Sequence, residues 1–177
     1  MLKAIKLRIY PNVQQTFKID TNFSLTRFVY NQMLNMQKER HANGGKFVNA
    51  FCMNNLLPQL KREYLFLKDA ESTSLQVANR DLADAFTRFF KHQTGFPKFK
   101  SRKHPKQSFQ SKNVNNNVQI IDEKRIKLPK LGVLKFKGRE PFGKIKSVTV
   151  RKSSRCSHIS ARGTVNNCLK SIPRTRV

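Results

Sequence analysis

Residues 3–10 alternate. Ile5, Leu7 and Ile9 fall on one face, with Lys6, Arg8 and Tyr10 on the other. That is the period of a half-buried strand, and Pro11 stops it. The period then lengthens. Asn12 stands where a helix cap belongs, with Gln15 three residues on as its capping-box partner. Apolar residues continue to about Met36, and Gly44-Gly45 ends the element. Phe23, Tyr30 and Leu34, at i, i+7 and i+11, share one helical face. A second helix is predicted within 52–66, with Leu56, Leu60 and Tyr64 in line, which places Pro58 in its first turn. The clearest helical pattern runs from Ser72 to His92. Leu75, Ala78, Leu82, Ala85, Phe86 and Phe89 form its apolar side, and Arg80, Arg88 and Lys91 lie opposite.

Helical spacing ends at Gly95, Pro97 and Pro105. Beyond Ser108 the period shifts towards two. Val118 and Ile120, then Ile126 and Leu128, then Val133–Lys137, then Ile145–Val150 read as short strands, and Leu131-Gly132 reads as a turn. Short strands separated by glycine turns predict a small antiparallel barrel or sandwich. The N-terminal strand joins it, so the fold class is α+β with a helical block inserted in a β unit. The expected organisation is a first strand over 1–11, a helical block over 12–107 ending in a basic loop at 94–107, further strands over 108–152, and a tail from 153 to 177.

Charge adds a function class. The 177 residues carry 36 Lys and Arg against 10 Asp and Glu, a formal net charge of +26. Residues 1–90 balance at +6 and residues 91–177 at +20. Self-repulsion of that density calls for a polyanion, and nucleic acid is the commonest one in a cytoplasm. No run approaches the roughly 20 apolar residues of a membrane span. The N-terminus has no signal-peptide core, so the sequence reads as a cytoplasmic protein without a membrane partner. Cys52, Cys156 and Cys168 are odd in number and far apart, which argues against disulfides and a Cys-x-x-Cys zinc site.

Five Lys and Arg lie between Lys98 and Lys106, interleaved with Phe96 and Phe99. That is the composition of a loop that tracks a phosphate backbone and offers rings for stacking. Lys98, Lys100, Arg102, Lys103 and Lys106 are the first candidate contacts, Arg27, Arg80 and Arg88 the second, and Phe96 and Phe99 the stacking candidates. The basic half holds only Asp122, Glu123 and Glu140 as acids. Two-metal hydrolysis needs several carboxylates at one site, and His41, His92, His104 and His158 join no Cys/His or Ser/His set. No catalytic residue, metal ligand or cofactor is assigned.

Several ordered blocks resemble the N-terminal half of TnpB, the OrfB-type transposase of small insertion sequences. They are Tyr10-Pro11 with Gln14-Gln15, Arg27-Phe28-Val29-Tyr30-Asn31, Leu57-Pro58-Gln59-Leu60-Lys61, Ser74-Leu75-Gln76 with Arg80-Asp81-Leu82, Gly95-Phe96-Pro97-Lys98-Phe99-Lys100-Ser101-Arg102, and Gly143–Val150. The resemblance covers about residues 3–152. It implies a wedge-like barrel carrying a helical, helix-turn-helix-like recognition block. It also implies a role in holding guide RNA and the guide–target duplex by the backbone, while base pairing reads sequence. Full-length members are RNA-guided DNA nucleases whose ribonuclease-H-like domain, with its acidic triad and zinc ribbon, follows downstream.

From Arg155 to Val177 the chain departs from that pattern, with no acidic residue and no Phe or Tyr. The segment is expected to be translated out of frame after a frameshift, or to be a degraded junction, with a genuine disordered basic tail as the other reading; a missing barrel strand would leave an exposed edge and a marginal or aggregation-prone fold. The expected function is a non-catalytic, nucleic-acid-binding N-terminal fragment of a TnpB-type protein, recognising DNA, guide RNA or both. Two alternatives stand beside it: part of an RNA-guided nuclease completed by another chain, and a basic ribosome-associated protein.

Overall fold

The computed structural model describes residues 2–104, 107–138, 145–152 and 157–164. Strand β1 (Leu2–Tyr10) leads into helix α1 (Val13–Ala42), α2 (Ala50–Glu63), a short 3-10 helix (Leu65–Asp69) and α3 (Ser72–Phe90). Six strands follow: β2 (Gln107–Lys112), β3 (Gln119–Asp122), β4 (Arg125–Leu128), β5 (Gly132–Lys137), β6 (Ile145–Lys152) and β7 (Ser157–Thr164). They form one antiparallel sheet in the order β2-β6-β7-β1-β5-β4-β3. The three helices are inserted between β1 and β2.

The alternation of β1 is real: Leu7 and Ile9 are 1% and 2% exposed, while Arg8 and Tyr10 face outward. They meet Ile126, Leu134, Phe136, Val148 and Val150 in a sheet core. Ile19 and Phe23 from the first turns of α1 cover the same core, and Phe23 packs edge-on against Phe109 at 5.3 Å. From Leu25 onward α1 serves a second core with Met53, Leu67, Leu75, Leu82 and Phe86. One helix therefore seals both cores. Its start is fixed as the sequence predicts. Asn12 Oδ1 accepts from the Gln15 amide at 2.8 Å, and the Asn12 amide donates to Gln15 Oε1 at 3.0 Å. Helix α3 is capped by buried Glu71, which accepts from Thr73 N at 3.1 Å and Ser74 N at 2.7 Å. An acid at a helix N-terminus also suits the dipole.

Three expectations are corrected. The sheet is open, not a barrel. Closure would require β2 to pair β3, but the strand order puts them at opposite edges. The edge at β2 is engaged by α3, whose Thr73 Oγ1 accepts from Lys112 N at 2.9 Å. Pro58 is the ninth residue of α2, not a first-turn residue. Asn49 starts that helix early by accepting from Cys52 N at 2.9 Å, and burial of Met53 and Leu57 outweighs the backbone bond that proline deletes. Finally, Ser157–Thr164, expected to be tail, is β7, paired along its length with both β1 and β6. Two flanking strands with open backbone groups set a pairing that side-chain alternation did not announce. The edge expected to be bare is therefore filled, and the rest of the tail lies outside the described residues.

Two backbone positions matter locally. Lys130 and Gly132 take φ of 64° and 75° and close the β4–β5 turn. Gly138 passes so close to Leu7 that a Cβ there would collide with the Leu7 side chain.

Candidate nucleic-acid interface

Arg27, Asn31, Asn35 and Lys38 recur at i, i+4, i+8 and i+11 along α1 and make a polar stripe beside its buried face. After α3 the chain returns across this stripe. The Asn31 side chain clamps it: Nδ2 donates to the Lys100 carbonyl at 3.0 Å, and Oδ1 accepts from the Lys100 amide at 2.8 Å. A primary amide matches a peptide unit donor for acceptor, so the pair fixes the loop's position. On either side of the clamp the side chains are held by rings and ammoniums. Lys100 Nζ lies 3.9 Å from the Tyr30 ring centroid, and Lys38 Nζ lies 4.6 Å from that of Phe99.

Two clefts open beside the loop, and Arg27 and Phe99 line both. One, of about 550 Å³, lies between α1 and the 3-10 helix and takes in Gln32, Asn35, Phe28 and Phe66. The other, of about 380 Å³, runs towards β2 and takes in Phe23, Lys100, Ser101, His104 and Ser108. Desolvation, then repulsion from Arg102, lowers the Arg27 guanidinium below its ordinary pKa. Lys100 is likewise lowered, first by desolvation, with Asp81 working against the shift. Asp81 itself is raised by desolvation although Lys100, Arg80 and Arg88 pull the other way. Lys100 thus has a ring and a carboxylate of its own. Arg27 and Arg102 repel each other.

The structure brings Arg27, Phe99, Lys100 and Arg102 to one face. Lys98 and Lys103 are exposed on the same loop. Lys106 lies outside the described residues. Arg80 turns away and donates to Gln110 Oε1 at 3.2 Å, and Arg88 donates to the Asp84 carbonyl at 3.3 Å. Phe96 packs edge-on against Phe86 and Phe89 at 5.6 and 5.3 Å, so it belongs to an aromatic cluster, while Phe99 remains 51% exposed. Asn31, Lys38, Gln32 and Phe66 escaped sequence reasoning. The stripe spacing on α1 was the available signal for the first two. Nothing local points to Phe66.

The acids in view have other work. Glu71 caps α3, Asp20 pairs with Lys152 at 2.7 Å, and Asp122 accepts from Arg125 Nε at 2.6 Å. Among the described residues no three of His, Cys, Asp and Glu gather in a group that could hold a metal ion. Among the same residues no helix is long and apolar enough to cross a membrane.

Fold and face together define a basic α+β module. A helix-turn-helix domain model of the IS605-type OrfB proteins matches residues 1–46. In this chain those residues are β1 and one unbroken helix, α1, with its exit. InsQ of Escherichia coli strain K12, named as a candidate RNA-guided DNA endonuclease, is 34% identical over 156 residues, covering 86% of this chain and 38% of InsQ. A Streptomyces pristinaespiralis protein of the same description is 32% identical over 108 residues, 60% of this chain and 27% of that protein. Virulence protein VsdF of Salmonella dublin is 34% identical over 119 residues, 60% of this chain and 98% of VsdF. The chain belongs to the OrfB/TnpB family of insertion-sequence proteins, and it spans well under half the length of the first two relatives.

Proposed function

We propose that this part of the molecule binds nucleic acid, DNA or a guide RNA, through its phosphate backbone along the face shared by α1 and the 98–103 loop. We further propose that it performs no cleavage itself, and that the endonuclease activity in the relatives' names resides in sequence beyond this part. The observation that carries the reading is the gathering on one face of Arg27, the half-exposed Phe99 ring and the exposed loop cations Lys98, Arg102 and Lys103, with Arg27 and Arg102 in mutual repulsion. A phosphate placed there would relieve the repulsion and accept charge-assisted hydrogen bonds. Lys98 and Lys103 extend the positive track on the same loop. Its partner is expected to be held by backbone contacts, which position a strand and carry little sequence information.

Binding to labelled RNA and DNA across a salt series tests this. A face that neutralises about 6–10 phosphates loses roughly 10³–10⁵ in affinity between 50 and 200 mM salt. A flat response would overturn the phosphate reading. Incubation of the chain with DNA and magnesium is expected to leave the DNA intact. Cleavage that survives repurification would overturn the non-catalytic reading.

A further inference from the structure

The larger cleft has a composition that backbone binding leaves unused. Leu25 and Phe28 give it apolar lining. Two further rings line it, Phe99 at 51% and Phe66 at 46% exposure. Phe66 is set by an edge contact with Phe28 at 5.3 Å and a tilted contact with Tyr64 at 5.7 Å, and Phe99 by the Lys38 ammonium at 4.6 Å from its centroid. Both rings are therefore positioned before any ligand arrives. Polar side chains share the lining. The Gln32 side chain, half-buried, has no hydrogen-bond partner among the described residues and offers one donor and one acceptor face. Asn35 donates from Nδ2 to Glu39 Oε1 at 2.7 Å, and its Oδ1 has no hydrogen-bond partner among the described residues. Arg27 lines this cleft and the neighbouring one. The volume, about 550 Å³, lies in the range of roughly 300–1,000 Å³ usual for small-ligand sites.

We infer that this cleft is a subsite for one unpaired nucleobase of a single strand. The inference rests on the nucleic-acid reading above. The base stacks on Phe99, opposite Phe66. Its hydrogen-bonding edge meets the Gln32 and Asn35 amides, and Arg27 takes the adjoining phosphate. A base within a duplex is already stacked and paired, so it cannot enter. The subsite therefore makes the face prefer a splayed single strand to duplex. Because every base has a π-face, the stacking term tolerates any sequence, and the amides supply whatever preference exists.

The test measures affinity of the whole chain for oligouridylate, its deoxy counterpart, and duplexes of the same length, with 5-iodouracil placed at single positions for photocrosslinking. Phe99→Ala is expected to weaken single-strand binding by about 5–150-fold, the range of one stacked base. The salt slope and duplex affinity should stay unchanged. Phe99→Trp should retain single-strand affinity, and Gln32→Ala should alter base preference without changing the slope. Crosslinks should map to Phe99 or Phe66; the ribo and deoxy arms decide which strand is preferred. Equal losses on single strand and duplex, or no loss in Phe99→Ala, overturn the subsite while the backbone reading stands. No binding by the unaltered chain overturns both.

Discussion

The two halves of the chain divide quantity of charge from arrangement of charge. Residues 91–177 hold +20 and residues 1–90 only +6. Several cations of the later half sit on the sheet, Lys127 and Lys135 facing outward from strands and Lys124 in the turn before β4, all three exposed. The earlier half supplies Arg27, Asn31, Tyr30 and Lys38, and these decide where the loop lies and which of its groups face solvent. In the proposed reading, net charge names the kind of partner and helix geometry chooses the site.

The largest effect that can test this division comes from the cores. Leu134 in the sheet and Leu82 in the helical block are both fully buried. Either Leu→Ala change is expected to cost about 2–5 kcal/mol. Because α1 lines both cores, each variant should unfold in one transition. Tyrosine fluorescence in a Tyr10→Phe background, which leaves Tyr30 and Tyr64, should coincide with loss of the circular dichroism signal. Separate midpoints would mean that the halves are independent units.

The next effect compares charge with charge. Lys98, Arg102 and Lys103 changed together to Ala should lower the salt slope for a single strand by about one for each phosphate no longer neutralised. Lys124, Lys127 and Lys135 changed together remove the same charge from the sheet and should leave the slope nearly unaltered. Equal effects would make net charge the determinant and erase the comparison. A smaller effect belongs to the clamp. Asn31→Ala removes two hydrogen bonds, each contributing about 0.5–1.5 kcal/mol. It should release the loop, speed hydrogen exchange at the Lys100 amide and weaken binding without changing the salt slope. Unchanged exchange there would show that the loop holds its place by other means.

What sequence could reveal followed from range. The Asn12–Gln15 box, the alternation of β1 and the apolar side of α3 are encoded within a few residues, and each appears where its period predicts. The Asn31–Lys100 clamp spans 69 positions, and no local period encodes it. That is why Lys100 stood among the first candidate phosphate contacts although its ammonium lies over the Tyr30 ring. Phe96 and Phe99 look equivalent in the loop, yet one completes an aromatic cluster and the other stays open. Strand β7 was illegible for a different reason: its neighbours' backbones define it, and pairing needs no apolar pattern.

The smallest effect concerns the acid inside the better arranged half. Desolvation raises Asp81 above its ordinary 3.8, and Lys100, Arg80 and Arg88 offset only part of that. A raised acid binds its proton more tightly folded than unfolded. Its contribution to stability is therefore full below the unfolded value and is lost as pH rises through the folded value. Asp81→Asn removes that titration. The stability of the natural chain relative to Asp81→Asn should fall as pH climbs from below 3.8 and level off once Asp81 is ionised. Denaturant midpoints across the acidic range would measure it. A difference that instead rose with pH would mean that the three cations outweigh desolvation, and that Lys100 and Asp81 form a net favourable ion pair.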